Sequence, residues 1–127
     1  MLRWLDGPDG VGFGNPHPSH RMGRQAAAAI ELARDRVAAL FPPGGTVIFT
    51  SGATESIAAA TWGAVHRAVE NGATPNIVYA AVEHSAVRRS SDLFAKAFGG
   101  SVSVVGVDSV GRVDVDAFVD ALTPTTA

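Results

Sequence analysis

Cysteine is absent from the chain, and lysine occurs only once, as Lys96. The absence of cysteine excludes both a disulfide framework and thiol chemistry on the chain's own side chains. No apolar run is long enough to cross a bilayer, and the N-terminal residues lack the pattern of a signal peptide. We therefore expect a cytoplasmic protein without membrane contacts.

A strong excess of one charge is also missing, because the net charge is −2 over 127 residues. Nucleic-acid-binding proteins usually carry a marked basic excess, so we expect no nucleic-acid partner. Hydrophobic residues make up 46% of the chain, which is enough for a packed core and unlike a disordered composition. The length corresponds to one domain at most.

Residues 1–20 are predicted to form an irregular N-terminal arm, because glycine and proline interrupt them repeatedly. These positions are Gly7, Pro8, Gly10, Gly12, Gly14, Pro16 and Pro18. His17 and His20 are three residues apart, which suits a metal ion, but no third ligand accompanies them. We therefore predict no metal site.

The remaining residues alternate between strand-like apolar runs and apolar residues at helical spacing. The predicted elements are a helix over 22–40, a strand over 46–49, a helix ending near Asn71, a strand over 76–82, a helix over 85–98, a strand over 101–107 and a short helix capped by Asp114. No element is predicted after residue 122. This order predicts an α/β layer with right-handed crossovers.

The most informative stretch is Thr50-Ser51-Gly52-Ala53-Thr54-Glu55-Ser56, between a predicted strand and a predicted helix. Gly52 permits a sharp turn and a close approach of the backbone to a ligand. The unpaired N–H groups at the start of the following helix form an anion site together with the helix dipole. Two interpretations stay open: a phosphate site, or an ordinary helix capped by Ser51 or Thr54.

A second motif, Glu83-His84-Ser85, follows the next predicted strand. Ligands of open α/β sheets bind at the carboxyl ends of the strands, so this motif and residues 51–56 are expected at the same edge. A phosphorylated aromatic cofactor would fit there, with its phosphate on the helix N-terminus and its ring against His84. Taken alone, His84 could equally be an ordinary residue at the end of a strand.

Three segments, in this order along the chain, read Gly14-Asn15-Pro16-His17-Pro18-Ser19-His20-Arg21-Met22-Gly23-Arg24, Ile48-Phe49-Thr50-Ser51-Gly52-Ala53-Thr54-Glu55-Ser56 and Val82-Glu83-His84-Ser85-Ala86-Val87. Together they resemble the N-terminal part of the pyridoxal-phosphate-dependent cysteine desulfurases, within the class V aminotransferase group. The first is similar to the family's Gly-Asn-Pro-Ser-Ser-x-His-x-x-Gly-Arg entry to a long helix, the second to its phosphate loop, and the third to its Val-Glu-His-x-Ala-Val turn.

The resemblance implies an incomplete N-terminal portion, residues 1–127, of the large domain of a fold type I pyridoxal-phosphate enzyme. The expected architecture is a partial three-layer sandwich with three mainly parallel strands and flanking helices. Ala53 and Thr54 would hold the phosphate of pyridoxal 5′-phosphate, and Glu55 would point away because its charge repels the phosphate. His84 would be both a cofactor-binding and a catalytic residue, stacking on the ring and assisting proton transfer.

The same resemblance implies the removal of sulfur from L-cysteine, giving L-alanine and an enzyme persulfide, in the service of iron–sulfur cluster assembly. Its expected partners are a sulfur-acceptor protein and a second copy of the complete chain in a homodimer. Two alternatives stay open. One is a different class V enzyme, a selenocysteine lyase or an aminotransferase. The other is a non-catalytic half-domain that binds a phosphorylated ligand and pairs with another chain.

Several features depart from the family pattern. Leu5-Asp6-Gly7-Pro8-Asp9-Gly10 stands where the family has Asp-Asn-Ala-Ala. In the family, the Schiff-base lysine, the aspartate at the pyridine nitrogen and the persulfide cysteine all come later in the chain. Lys96 follows Asp92 by four residues in a predicted helix, the spacing of a solvent-face ion pair. We therefore expect a truncated desulfurase-like piece that is inactive alone, with a gap in its sheet.

Overall fold

The computed structural model describes residues 15–16 and 19–127. The chain divides into two compact units, Met1–Phe49 and Thr50–Ala127, and each is described by itself. The predicted N-terminal arm of residues 1–20 lies almost wholly outside the described residues, as does His17. None of the described helices is long and apolar enough to span a membrane.

Among the described residues of the first unit, the regular element is helix α1, Arg21–Ala38, which agrees closely with the predicted helix. Its N-terminus is capped by His20, whose Nδ1 accepts a hydrogen bond of 3.0 Å from the N–H of Gly23. The side-chain cap satisfies one of the N–H groups that the first turn of a helix leaves unpaired. Beyond the helix the backbone turns at Gly44, whose φ of 99° is a conformation that glycine adopts readily.

The predicted strand over 46–49 is wrong, because these residues belong to no sheet. Ile48 is 76% exposed and Phe49 is 48% exposed, so the segment is not buried either. β-branched residues favour an extended chain, but a strand also needs a neighbouring strand to pair its backbone groups. Here the guanidinium of Arg34 donates to the carbonyl of Val47 and lies 5.1 Å from the centre of the Phe49 ring.

The second unit is built on a βαβ arrangement. Strand β1, Asn76–Ala80, pairs in parallel with strand β2, Ser101–Val105, and helix α3, Ser85–Ala97, connects them. Helix α2, Ala53–Glu70, precedes β1 and packs against α3. A short helix α4, Val115–Asp120, follows β2.

The core of this unit lies between the two long helices and the strand pair. Val65 of α2, Ile77 of β1 and Ala95 of α3 form a buried cluster, with Val65 fully buried. Partly buried hydrophobic residues surround it: Val69, Phe94, Phe98 and Val102. The apolar faces of the two long helices therefore meet at this cluster beside the strands, as their helical spacing predicts.

The second edge of β1 pairs with the C-terminal residues, for which no element had been expected. Asn76 forms a parallel bridge with Thr126, and the N–H of Ala127 donates to the carbonyl of Asn76 at 2.8 Å. The side chain of Asn76 is buried and its Nδ2 donates to the hydroxyls of Ser101 at 2.9 Å and Ser103 at 3.2 Å. Strand β1 is thus flanked on both sides at its first residue.

The α/β class is confirmed, but the described residues contain a sheet of two parallel strands instead of three. Strand β2 ends at Val105, two residues earlier than predicted, and Val107 instead forms an antiparallel bridge with Val113. The predicted cap of the last helix is confirmed, since Asp114 Oδ1 accepts a hydrogen bond of 3.0 Å from the N–H of Ala117.

Candidate functional site

The N-terminus of α2 presents unpaired hydrogen-bond donors. Gly52 is the N-cap residue and no side chain caps the helix. The first bond of the helix runs from the N–H of Ser56 to the carbonyl of Gly52 at 3.1 Å. The N–H groups of Ala53, Thr54 and Glu55 have no acceptor among the described residues. The interpretation as an ordinary helix capped by Ser51 or Thr54 is therefore wrong.

The hydroxyl groups of this turn differ in their availability. Thr50 Oγ1 donates to the carbonyl of Gly52 at 3.1 Å and lies 2.6 Å from Ser56 Oγ. Because a hydroxyl has one proton to donate, Ser56 is then the donor in the second bond. Thr54 is exposed, and its hydroxyl has no partner among the described residues. Thr54 is thus the residue of this turn whose hydroxyl is free to bind a ligand.

The Glu55 carboxylate binds Ser51, the residue before the N-cap. Its Oε2 accepts hydrogen bonds from the N–H of Ser51 at 2.7 Å and from the Ser51 hydroxyl at 2.6 Å. These two bonds hold the pKa of the Glu55 carboxyl below its ordinary value. The carboxylate engages a donor that lies before the helix, and it makes no hydrogen bond to the N–H groups of Ala53 and Thr54.

The glycine of this turn leaves room for a ligand. Gly52 has φ 164° and ψ 178°, an extended conformation that any residue adopts, so backbone geometry does not require a glycine. Among the described residues, a Cβ atom placed there would meet nothing within 4 Å. That part of the chain therefore leaves room beside the N–H groups for the close approach of a phosphate.

His84 is the N-cap of α3. Its backbone is extended, with φ −60° and ψ 148°, and its Nδ1 accepts a hydrogen bond of 3.1 Å from the N–H of Ala86. Its carbonyl accepts from Val87 at 2.9 Å and from Arg88 at 3.3 Å. The residue is exposed, so the ring edge that carries Nε2 is accessible to a ligand.

Short connections bring the two motifs to the same end of the strand pair. Five residues, 71–75, join α2 to β1, and four residues, 81–84, join β1 to α3. Both helices therefore run opposite to β1, and both begin near its carboxyl end. With 18 and 13 residues they are about 27 and 20 Å long, a difference in length of about 7 Å.

Lys96 is remote from this end. It lies in the last turn of α3 and is exposed, about 18 Å along the helix axis from His84. Asp92 and Lys96 do not form the ion pair that their spacing suggested, although both are exposed. At the surface such a pair contributes little, because water screens it and the two long side chains lose rotamer freedom.

Together these features fit a phosphate group. Unpaired N–H groups, a free hydroxyl and the positive end of a helix dipole are the donors that phosphate oxygens accept from. The exposed imidazole of His84 offers a flat face and a second polar group at the same end. The described residues contain no cluster of three or more histidine, cysteine or acidic side chains that could hold a metal ion.

The chain belongs to the class V aminotransferase family, whose family model matches residues 11–127. Its relatives include cysteine desulfurases. The cysteine desulfurase of Sinorhizobium fredii is 41% identical over 119 residues, which cover 91% of this chain and 30% of that protein. That of Bradyrhizobium diazoefficiens is 38% identical over 117 residues, covering 91% of this chain and 29% of that protein.

A third relative, the cysteine desulfurase IscS of Mannheimia succiniciproducens, is 38% identical over 128 residues, covering 99% of this chain and 30% of that protein. The chain thus spans about 30% of the length of the curated relatives it matches. The resemblance inferred from the motifs is confirmed at the level of the family.

Sequence reasoning missed the two side-chain contacts that organise the site. The Ser51–Glu55 contact had a signal, since a serine followed within four residues by glutamate at a helix start is close to a capping box. The capping role of His84 had no comparable signal, because histidine is not among the preferred N-cap residues.

Proposed function

We propose that this chain forms the cofactor-phosphate part of a cysteine desulfurase that uses pyridoxal 5′-phosphate. The observation that carries the proposal is the uncapped N-terminus of α2, where N–H groups and the Thr54 hydroxyl have no partner among the described residues. The names of the relatives support desulfurase chemistry over the other class V activities.

Each residue of the site then has a defined task. The N–H groups of Ala53 and Thr54 and the Thr54 hydroxyl bind the phosphate, and the dipole of α2 favours its negative charge. His84 would hold the pyridine ring by stacking, and its Nε2 would be the polar group that it offers to the cofactor or substrate. When bound, the cofactor supplies an electron sink for the amino acid substrate.

The substrate is proposed to be L-cysteine, with its sulfur passed to an acceptor protein for iron–sulfur cluster assembly. The proposed setting is a cytoplasmic homodimer whose large domain has the three-layer sandwich of fold type I. Lys96 is exposed and far from His84, so the amine that binds the cofactor covalently is proposed to come from residues outside this chain. The chain on its own is then inactive.

A chimera tests this function. Residues 11–127 of this chain replace the matching segment of the Sinorhizobium fredii cysteine desulfurase, and the purified chimera is assayed for bound pyridoxal 5′-phosphate and for sulfide release from L-cysteine. We expect about one cofactor per chain and sulfide production. L-Selenocysteine and an amino acid with a keto acid serve as alternative substrates. A folded chimera that binds the cofactor but turns over only an alternative substrate would contradict the desulfurase assignment.

A further inference from the structure

His84 caps the first turn of α3 with both its side chain and its backbone carbonyl. His84 accepts the N–H of Ala86 at Nδ1 and the N–H groups of Val87 and Arg88 at its carbonyl. Ala86 is only 7% exposed, so its N–H has little access to water and depends on the imidazole as its acceptor. The cap therefore ties the orientation of the His84 ring to the backbone of the helix.

This bond determines where the neutral imidazole carries its proton. A neutral imidazole has one N–H and one acceptor nitrogen. Because Nδ1 accepts from Ala86 at 3.1 Å, it cannot carry the proton, which must then be on Nε2. The opposite tautomer would direct two N–H groups at each other and leave the buried Ala86 donor unpaired, which is costly.

We propose that the backbone N–H of Ala86 is a positioning group that fixes neutral His84 in its Nε2–H tautomer. His84 then presents a hydrogen-bond donor, and not a base, to whatever lies at the carboxyl end of β1. The inference rests on the proposed function for the identity of that ligand, but the tautomer itself follows from the structure of this chain alone.

The consequence concerns proton transfer. In this tautomer the ring lone pair that could accept a proton is on Nδ1. That lone pair already accepts the N–H of Ala86. Neutral His84 therefore accepts a proton only if the bond to Ala86 breaks. Its task at the site is to donate a hydrogen bond from Nε2 to an electronegative atom of the cofactor or substrate, while the cap holds the plane of the ring for stacking.

Nitrogen-15 NMR measures the tautomer directly. The uniformly ¹⁵N-labelled chain is recorded about two pH units above the ordinary histidine pKa of about 6.5, using the long-range couplings between ring nitrogens and ring carbon-bound protons. Each ring is assigned by replacing that histidine with glutamine. For His84 we expect a protonated Nε2 and an unprotonated Nδ1.

Two other histidines are internal references. His20 caps α1 through Nδ1 with the N–H of Gly23 at 3.0 Å, so it should show the same tautomer. His66 differs, since its Nδ1 accepts no backbone N–H among the described residues and lies 3.4 Å from a carboxylate oxygen of Glu70. Its Nδ1 is therefore not held unprotonated by a helix cap, and it serves as the uncapped reference in the same sample.

Two proline variants distinguish the loss of the His84–Ala86 hydrogen bond from a general effect of proline at the start of α3. Ala86→Pro removes the N–H that binds His84, and Ser85→Pro removes an N–H that has no acceptor among the described residues. Proline is tolerated in the first turn of a helix, and the extended backbone of His84 suits a proline at position 85. Proline at position 86 follows the helical Ser85 and is the more strained of the two, so circular dichroism must show that each variant keeps the helix content of the parent.

With the cap removed in Ala86→Pro, the Nδ1–H form of His84 should rise roughly fivefold, the factor that corresponds to losing one ordinary hydrogen bond. Ser85→Pro should leave the tautomer as in the parent. Protonated Nδ1 in parent His84, or equal tautomer populations in the parent and Ala86→Pro, would overturn the proposal. Failure of the chimera to bind the cofactor would instead contradict the proposed function and leave this result standing.

Discussion

Replacing Thr54 by valine should weaken binding of pyridoxal 5′-phosphate without destabilising the fold. The valine keeps the branched shape of threonine and removes only the hydroxyl. That hydroxyl has no partner among the described residues, and the residue is exposed. Threonine and valine also have similar helix propensities, so the free energy of unfolding should change by less than about 0.5 kcal/mol.

The expected loss of affinity follows from the chemistry of the missing bond. A hydrogen bond to a charged group contributes about 1.5–3 kcal/mol, and the phosphate is charged at neutral pH. Since each 1.4 kcal/mol corresponds to a tenfold change, the dissociation constant should rise about 10- to 150-fold. Part of the binding remains, because the backbone N–H groups of Ala53 and Thr54 are untouched.

Ser56→Ala is the matched control. Its hydroxyl lies two residues further along the same turn but is already paired with Thr50 at 2.6 Å. Loss of this hydrogen bond should lower the free energy of unfolding by about 0.5–1.5 kcal/mol. The better helix propensity of alanine should offset roughly 0.5 kcal/mol of that loss. The dissociation constant for the cofactor should stay within about threefold, well below the change expected for a bond to the phosphate.

Both variants are made in the chimera with the Sinorhizobium fredii enzyme, where cofactor binding is followed by its absorbance in equilibrium dialysis and stability by urea titration. The informative result is the contrast between the two. Equal losses of affinity in Thr54→Val and Ser56→Ala, or unchanged affinity in Thr54→Val, would show that the free hydroxyl of this turn does not bind the phosphate.

Three further predictions concern the fold and the chain's chemistry. Gly100→Ala should destabilise the second unit by at least about 2 kcal/mol in thermal unfolding, because its Cβ would lie 2.2 Å from the carbonyl oxygen of Pro75. The Ser51–Glu55 contact stabilises the turn at neutral pH and should be lost as the pH falls through the lowered pKa of Glu55, below 4.5, as reported by the Ser51 amide resonance. Borohydride reduction of the chain with pyridoxal 5′-phosphate should give no stoichiometric label at Lys96 on peptide mapping.

Each of these has a control. Gly106→Ala places a Cβ where nothing lies within 4 Å and should unfold like the parent, so an equal loss in both glycine variants would exclude the clash as the cause. In Glu55→Gln the acid transition of the Ser51 amide should disappear, and its persistence would assign it to another group. Stoichiometric labelling of Lys96, with sulfide release abolished by Lys96→Ala, would refute its assignment to the solvent-exposed face.

The helices of this chain were predictable because their signals are local. Helical spacing of apolar residues and a following glycine determine where α2 and α3 end, and Gly72 and Gly99 adopt φ values of 76° and 66° just beyond them. The strand predicted over 46–49 failed for the opposite reason. Its residues have the propensity of a strand, but pairing depends on a neighbouring segment that sequence proximity does not reveal.

The site was predictable in part. Ala53, Thr54 and His84 were named from the order strand, turn and helix, and from the rule that ligands bind at strand carboxyl ends. Which hydroxyl is free, where the Glu55 carboxylate binds and which imidazole nitrogen is used all depend on rotamers. A motif specifies residue types at a spacing, and it does not specify the partners that each side chain selects once the turn is formed.

The uncapped start of α2 contrasts with the other described helices, which begin at His20, His84 and Asp114 with a side-chain cap. Serine at an N-cap position is more favourable than glycine by roughly 0.3 kcal/mol, so glycine at this position gives up a small stabilisation. An anion bound to the free N–H groups would restore it, because a ligand that binds only the folded state stabilises that state.

Gly52→Ser should therefore separate stability from binding. Its hydroxyl can accept the N–H of Thr54 or Glu55 and occupies the space that Gly52 leaves open, so the free energy of unfolding should rise slightly while the cofactor affinity falls at least tenfold. Gly63→Ala, at an exposed position of the same helix, controls for a general rise in helix propensity. It should raise the free energy of unfolding by about 1 kcal/mol and leave the affinity for the cofactor unchanged. If Gly52→Ser binds the cofactor as tightly as the parent, the open N-terminus of α2 is not the phosphate site.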